Sequence, residues 1–298
     1  MKKIKQLDAI KSTTMFLIDE EIEAKFKEQT TESAEFLKEA MAHIDTKEGL
    51  STFIRNNKES IEMLITVLGI SGEKLKRVVT MLRVQKGYTF ASEWDEKRLQ
   101  KEIASSESLM EEYCELFLNG RNLDKYKQLI PQYILDDFCI DAEVMGRISN
   151  IDILAKFYKK KKFTAYTAQY TAAYVKRVKA CVENIISPLG FNLQFGEIEG
   201  VGKDLMYFTN DEKYIILTCN YSLTTGAGQT KYYLTKVKPI YDNIREKDNI
   251  IMVNMLDGAG WVARSADFKK IFNDCNYYSN LQKIDSISEL TKEFFNIQ

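Results

Sequence analysis

Histidine and proline are nearly missing from this chain of 298 residues, which contains one histidine and three prolines. A site built from several histidines is therefore excluded, and we interpret His43 as an ordinary residue on a helix face. The five cysteines are far apart and form no Cys-x-x-Cys pair, which argues against a zinc site and predicts a reducing, cytoplasmic setting. No apolar run approaches the roughly 20 residues that span a bilayer, and the first ten residues lack the apolar core of a signal peptide.

The charge of the chain is balanced overall but uneven along its length. Hydrophobic residues make up 45% and charged residues 29%, which is typical of a globular protein, and the net charge is −1. Between Asp152 and Ile186, eight basic residues stand against two acidic ones, with tyrosines interleaved. This basic strip suits a phosphate backbone, although many such runs are only solvated helix faces. Its candidate DNA contacts are Lys159, Lys160, Lys161 and Lys162.

Residues 1–150 have the apolar spacing of helices almost throughout, and we predict a helical domain there. Two apolar stripes between residues 61 and 83 are joined by a short turn that contains Gly69 and Gly72, with Ser71 placed to cap the second helix. This resembles a helix-turn-helix, with Glu73 to Arg83 as the would-be recognition helix. Its candidate DNA contacts are Lys74, Lys76, Arg77 and Arg83. An ordinary helical hairpin explains the same pattern, so both interpretations stay open.

The pattern changes in residues 151–298, which we predict to be a second domain. An amphipathic helix (Thr167–Ser187) precedes three strand-like runs (Phe191–Ile198, Leu205–Phe208 and Tyr214–Cys219). A helix near 230–245, a buried strand (250–256) and two further helices follow. A crossover helix between strands implies a parallel pair beside an antiparallel hairpin. The predicted fold class is therefore α+β, with a mixed four- to five-stranded sheet flanked by helices.

Polar residues on the second and third strands form the candidate catalytic site of this domain. Asp204 opens the second strand, and Thr218 and Asn220 are two residues apart, so they share one face of the third strand. Hydrolysis of a phosphodiester with Mg²⁺ needs hard oxygen ligands that converge from neighbouring strands. An acid on one strand, followed across a hairpin by a pair spaced by two residues, has that layout.

These residues resemble restriction endonucleases of the MboI/DpnII type, which belong to the PD-(D/E)xK superfamily. The resemblance covers about residues 165–285 and rests on Lys203-Asp204-Leu205, on the strand that ends Thr218-Cys219-Asn220-Tyr221, and on the glycine-rich loop Gly226–Lys231. The segment Asp257-Gly258-Ala259-Gly260-Trp261 also resembles the Asp-Gly-x-Gly-Trp stretch of that family. The N-terminal half matches only loosely, as a helical region ahead of the nuclease core.

The resemblance implies a role for each matching position. Asp204 would be the metal-binding carboxylate, Asn220 would occupy the third motif position, and Lys231 would bind a phosphate. Thr218 departs from the family pattern, which has Glu there, and a neutral hydroxyl is a much poorer metal ligand. An acid elsewhere would have to replace it, and the candidates are Glu183, Glu197 and Glu199. Gln229 and Arg264 would contact DNA.

The implied function is sequence-specific, Mg²⁺-dependent cleavage of double-stranded DNA in the restriction of foreign DNA in a bacterium. Cleavage of both strands of a symmetric site predicts a homodimer. One alternative is a non-catalytic DNA-binding protein that keeps the nuclease fold, and another is a helical interaction protein with a structural C-terminal domain. A nucleotide-binding P-loop is disfavoured, because Gly226–Lys231 lacks the GxxxxGK[ST] spacing.

Overall fold

The computed structural model describes residues 6–88 and 92–297. The chain divides into two compact units: Ala24–Phe163 form a helical unit, whereas Met1–Glu23 and Thr164–Gln298 form an α+β unit. The division falls after Phe163 rather than at the predicted residue 150, and the described residues before Ala24 belong to the same unit as the C-terminal part. No helix among the described residues is both long and apolar enough to cross a bilayer.

In the part of the chain up to the long helix, all the regular elements of the described residues are helices. Its helices are α1 (Gln6–Lys11), α2 (Glu20–Ala40), α3 (Lys47–Asn56), α4 (Ser60–Leu68), α5 (Gly72–Gln85), α6 (Glu96–Ala104), α7 (Glu107–Asn119), α8 (Asp124–Lys127), α9 (Gln132–Leu135), α10 (Ala142–Ser149) and α11 (Ile151–Ile186). Side-chain caps begin several of them: Thr46, Ser71, Asp95, Ser106 and Asp141 each accept a hydrogen bond from a backbone N–H of the first turn.

The core of the helical unit comes from the apolar stripes that the sequence shows. The stripe of α4, with Ile61 and Leu64, packs with that of α5, with Val78 and Val79. Gly69 ends α4 with a positive φ of 76°, a conformation that glycine adopts without strain. The predicted pair of helices joined by a short glycine-containing turn is therefore present.

The rest of the α+β unit contains a three-stranded meander followed by helices and two further strands. Its elements are β1 (Gln194–Ile198), β2 (Gly202–Thr209), β3 (Tyr214–Tyr221), α12 (Ala227–Tyr232), α13 (Lys238–Ile244), β4 (Ile250–Asp257), α14 (Ala259–Ala263), α15 (Ser265–Asn273), β5 (Tyr277–Ser279) and α16 (Ser286–Phe295). The strands lie in the order β1-β2-β3-β4-β5. β1, β2 and β3 form an antiparallel meander, whereas β4 runs parallel to both β3 and β5. The predicted α+β class and mixed sheet are confirmed.

The two faces of the sheet are covered by different helices. Ile216 of β3 belongs to the apolar cluster that contains Val237 and Ile240, which lie between the third and fourth strands in the chain. The adjacent Leu217 belongs to the cluster of the opposite face, with Tyr174 and Val178 of α11. This alternation follows from the two-residue period of a strand, and it makes the central strands apolar on both sides.

Some element boundaries differ from the prediction. The amphipathic helix predicted from Thr167 begins at Ile151 and is 36 residues long, because the basic strip is itself helical. The first strand begins at Gln194 rather than Phe191. The short strand β5 (Tyr277–Ser279) was not predicted, since three residues give too little alternation to recognise.

A turn of π-helix (Tyr233–Val237) joins α12 to α13. Pro239, the second residue of α13, has no N–H to donate, so the regular hydrogen-bond ladder cannot continue through this position. Such widened turns are rare overall, and those that occur often lie at functional sites. Thr235 and Lys236, both inside this turn, line a pocket together with Asp204 and Thr218.

Candidate functional site

A pocket opens where β2 separates from β3. The ladder between these strands runs from Thr209 opposite Tyr214 to Met206 opposite Leu217, and β3 continues for four residues beyond it. On its other side β2 is irregular, because the register with β1 shifts between Gly196 and Ile198. The resulting pocket has a volume of about 460 Å³. It brings together Asp204 of β2 and Thr218 of β3, two of the residues predicted to form the site.

Asp204 stands at the irregular part of β2 with a backbone φ of 52°. Positive φ is uncommon outside glycine, and Asp and Asn tolerate it best. The side chain is exposed, and within the described chain it makes no hydrogen bond or ion pair. The carboxylate is therefore available to a ligand at the mouth of the pocket.

Three lysines line the same pocket: Lys179 of α11, Lys203 of β2 and Lys236 of the π-helical turn. Lys203 forms an ion pair with Glu197 at 3.5 Å, in which both side chains are more than half exposed. Such solvated pairs are weak, so Lys203 can exchange this partner for another anion. With three lysines and one carboxylate, the lining has an excess of positive charge at neutral pH.

Thr218 is tied into the sheet rather than left free. Its hydroxyl donates to Oδ1 of Asn254, the residue paired with it on β4, and the Asn254 amide donates to the Ile271 carbonyl at 3.3 Å. Thr218 and Asn254 are both buried. Beside them, the buried Tyr232 hydroxyl has no hydrogen-bond partner of normal geometry. Thr218, at the position where the family pattern has glutamate, is thus part of a neutral hydrogen-bonded network.

Asn220 shares the strand face of Thr218 but has a different environment. Its Oδ1 accepts a hydrogen bond of 3.0 Å from Nε1 of the buried Trp261. Asn220 does not line the pocket with Asp204 and Thr218. Asn220 therefore has a structural role, because it accepts the hydrogen bond of the buried indole N–H.

The acids predicted to replace the missing glutamate do not enter the pocket. Glu183, Glu197 and Glu199 are exposed, and none of them is part of its lining. In the described parts of the chain, no group of three acidic, cysteine or histidine side chains is placed to hold a metal. The pocket therefore offers one carboxylate, Asp204.

Cys219 also lines the pocket, on the strand between Thr218 and Asn220. Burial raises the pKa of its thiol to about 12, and the charge of Lys179 offsets only part of this effect. The thiol is therefore protonated at neutral pH, which does not suit a nucleophile.

Gln229 and Arg264, which were predicted to contact DNA, both form hydrogen bonds that hold the glycine-rich loop in place. Gln229 is buried, and its amide donates to the Thr224 carbonyl at 2.7 Å and accepts from the Gly226 N–H at 3.0 Å. Arg264 donates to Asp267 at 2.7 Å and to the Gly226 carbonyl at 2.9 Å. Their polar groups are thus engaged within the chain, and Gln229 cannot reach a DNA groove in this conformation.

Lys231 follows this loop on α12. Its side chain is exposed and does not line the pocket. Lys231 is therefore not part of the pocket that contains Asp204 and Thr218, and of the three pocket lysines only Lys203 lies in the compared motif.

The Asp-Gly-x-Gly-Trp segment anchors the N-terminal residues of the chain. The buried Asp257 carboxylate accepts hydrogen bonds from the N–H groups of Thr14 at 2.6 Å and Leu281 at 2.8 Å. Gly258 donates in return to the Thr14 carbonyl at 3.0 Å. Burial raises the pKa of Asp257 to about 6, and the backbone hydrogen bonds oppose this shift. Asp257 is therefore a structural carboxylate.

Other candidate DNA contacts lie in the helical unit and are partly engaged there. Lys76 and Arg77 both pair with Glu73, one turn earlier on α5. Arg83, at the end of the would-be recognition helix, is buried over the Trp94 ring at 3.9 Å from its centroid. An arginine held in this way cannot face DNA.

The basic strip on α11 divides into exposed and engaged lysines. Lys159 and Lys160 are exposed. Lys161 lies 3.3 Å from Glu62, and Lys162 lies over the Tyr158 ring. Two of the four lysines are thus exposed and suited to a phosphate contact.

Comparisons with protein-family models, with curated proteins and with solved structures found no match to this chain. The resemblance to restriction endonucleases therefore rests on the motif residues alone.

Sequence reasoning missed Lys179, Lys236 and Tyr232. Lys203 carried a signal, since it directly precedes Asp204 in the sequence, whereas Lys179 was counted only as one member of the basic strip. Lys179 comes from α11 and Lys236 from a turn that no periodic pattern predicts, so their meeting depends on the fold.

Proposed function

We propose that this protein binds double-stranded DNA, and that the pocket beside Asp204 holds the sugar-phosphate backbone. The observation that carries this proposal is the excess of lysine over carboxylate in a pocket at the divergence of β2 and β3. Lysine side chains bind phosphates as point charges, and neutralising phosphates supplies most of the affinity of non-specific DNA binding.

The topology of the α+β unit supports the same proposal. A helix, an antiparallel three-stranded meander, a crossover helix and a parallel strand follow one another along the chain. This is the order of elements that the sequence pattern predicted, and Asp204 and Thr218 line one pocket within it. A fold alone does not define a function, so the lysines and not the topology carry the argument.

The carboxylate count favours binding over cleavage. A nuclease site of the expected kind uses acids from neighbouring strands, whereas this pocket contains Asp204 and, at the expected second position, Thr218 engaged with Asn254. A DNA-binding protein that keeps a nuclease-like fold accounts for both residues.

Mg²⁺-dependent hydrolysis of DNA is the second candidate, and the free carboxylate of Asp204 favours it. Mg²⁺ is commonly bound by one or two carboxylates, waters and the phosphates of the substrate itself. Asp204 would hold the ion in this pocket, and the ion would offset the charge of the phosphate. A restriction endonuclease of a bacterial cytoplasm, acting as a homodimer on a symmetric site, would follow from this candidate.

Retardation of duplex DNA on a gel at several salt concentrations tests the binding proposal. We expect binding at low salt that weakens steeply as salt rises. Lys236→Gln should lower the slope of log K against log salt by about one, because one phosphate contact is lost. Lys269→Gln, an exposed lysine of α15 outside the pocket, is the matched control and should leave the slope unchanged. Absence of binding at low salt would refute the proposal and leave a helical interaction protein.

Incubation of the same DNA with Mg²⁺ or with EDTA separates the two candidates. Intact DNA under both conditions supports a binding protein. Discrete fragments that require Mg²⁺ and are lost in Asp204→Asn establish the endonuclease. Asp211→Asn is the control, because Asp211 is also exposed and also has a positive φ, of 72°. A loss in both variants would point to a change in folding instead of a lost ligand.

A further inference from the structure

The pocket beside Asp204 has more room and more apolar surface than a phosphate group requires. Its volume of about 460 Å³ lies within the range of about 300–1,000 Å³ in which proteins bind small organic molecules. Leu217, Tyr232 and Pro239 contribute apolar walls. A charged phosphate gains nothing from such walls, so they indicate a ligand that also carries a flat apolar part.

The polar groups of the pocket fit the anionic part of the same ligand. Lys203 and Lys236 are exposed, and Lys236 has no ion pair within the described residues. Lys203 has only its solvated contact with Glu197. One ligand that places an anion on these lysines and a ring between the apolar walls would use both kinds of surface.

An exposed aromatic ring completes the arrangement. Phe195 of β1 lines the pocket and is 56% exposed, which is unusual for a phenylalanine on a strand. The ammonium group of Lys179 lies 4.2 Å from the centroid of its ring. Aromatic rings beside cationic side chains are the surfaces on which unstacked bases are held.

We propose that this pocket takes one unstacked nucleotide, with the base against Phe195 and the apolar walls and the phosphate at Lys203 and Lys236. The inference deepens the proposed function, because it names the state of the nucleic acid that the same pocket accepts. A nucleotide turned out of a duplex and a free nucleoside monophosphate share this chemistry.

The test compares two DNA duplexes that differ by a single extrahelical nucleotide. Extruding a nucleotide from a perfect duplex costs free energy, whereas a bulged nucleotide is already unstacked. If the pocket holds such a nucleotide, the bulged duplex should bind at least about tenfold more tightly than the perfect one. In Phe195→Ala this ratio should fall towards one.

Tyr133→Ala is the matched control for the loss of an exposed aromatic side chain. Tyr133 is 82% exposed, does not line the pocket and lies under Lys74. The control variant should keep the full preference for the bulged duplex. A preference that survives in Phe195→Ala would overturn the inference, because it would then arise from DNA bending rather than from this pocket.

A calorimetric titration with the four deoxynucleoside 5′-monophosphates distinguishes the two sources of the ligand. Binding of a monophosphate without retardation of DNA supports the pocket assignment and refutes the proposed function. Retardation of both duplexes with equal affinity, together with no monophosphate binding, refutes the pocket assignment and leaves the proposed function standing. If neither DNA nor a monophosphate binds, both are refuted.

Discussion

The buried carboxylate of Asp257 predicts an unusual dependence of stability on pH. Burial raises its pKa from 3.8 to about 6, so the folded protein binds the proton more tightly than the unfolded chain does. Between these two values the folded state carries more protons, and stability must therefore fall as the pH rises. Above about pH 6 the carboxylate is ionised in both states, and the free-energy cost of burying its charge is then fully present.

The size of the effect follows from the two pKa values. At about 1.4 kcal/mol for each pH unit, the gap between 3.8 and about 6 corresponds to about 3 kcal/mol. About 2 kcal/mol of this develops between pH 4.5 and pH 7.5, because the unfolded chain is already partly ionised at the lower pH.

Asp257→Asn isolates this contribution because the amide does not titrate. Asparagine has one oxygen for the N–H groups of Thr14 and Leu281, so the variant loses a hydrogen bond at a cost of about 1–3 kcal/mol. That cost is the same at every pH. The difference in free energy of unfolding, wild type minus variant, should therefore decrease by about 2 kcal/mol from pH 4.5 to pH 7.5.

Urea unfolding followed by tryptophan fluorescence measures this difference. The chain has two tryptophans, Trp94 in the helical unit and the buried Trp261 in the α+β unit. In a Trp94→Phe background the signal comes from Trp261 alone and reports on the unit that contains Asp257. A difference that stays constant with pH, or that rises with it, would refute the assignment of a raised pKa to this carboxyl.

Two further predictions concern the segments that follow β3 and β4 in the chain. Gly258→Ala should destabilise the α+β unit by roughly 3 kcal/mol or more, measured by urea unfolding, because φ is 108° and an added Cβ would overlap the Ser222 carbonyl oxygen. Gly228→Ala, a helical position with open space around it, should change stability by less than about 1 kcal/mol. Arg264→Gln should speed backbone hydrogen exchange in the loop around Gly226, because it removes the hydrogen bond to the Gly226 carbonyl. The slope of log K against log salt for DNA binding should stay the same. A slope reduced by about one would instead place Arg264 on a phosphate.

Much of the fold could be predicted because its signals are local. Apolar spacing and the capping residue Ser71 predicted the hairpin of α4 and α5, and alternation predicted the meander of β1, β2 and β3. A crossover helix before β4 then predicted a parallel neighbour for β3. The positions of Asp204 and Thr218 on adjacent strands also followed from the sequence, since a hairpin fixes which strands are neighbours.

The surroundings of the site depended on contacts between distant parts of the chain. Whether Gln229 faces DNA or its own loop is decided by the Thr224 carbonyl, and the partner of Thr218 is set by the register of β3 with β4.

The sequence by itself thus determined the type and order of most elements, because periodicity, caps and turns act over a few residues. Only the tertiary structure decided that Lys179 and Lys236 meet Asp204 in one pocket while Glu183 stays outside it. It also decided that Asp257 is a buried anchor for Thr14, 243 residues away in the chain. Burial, and the pairing of a polar group with a distant partner, are properties of the packed chain and have no local pattern.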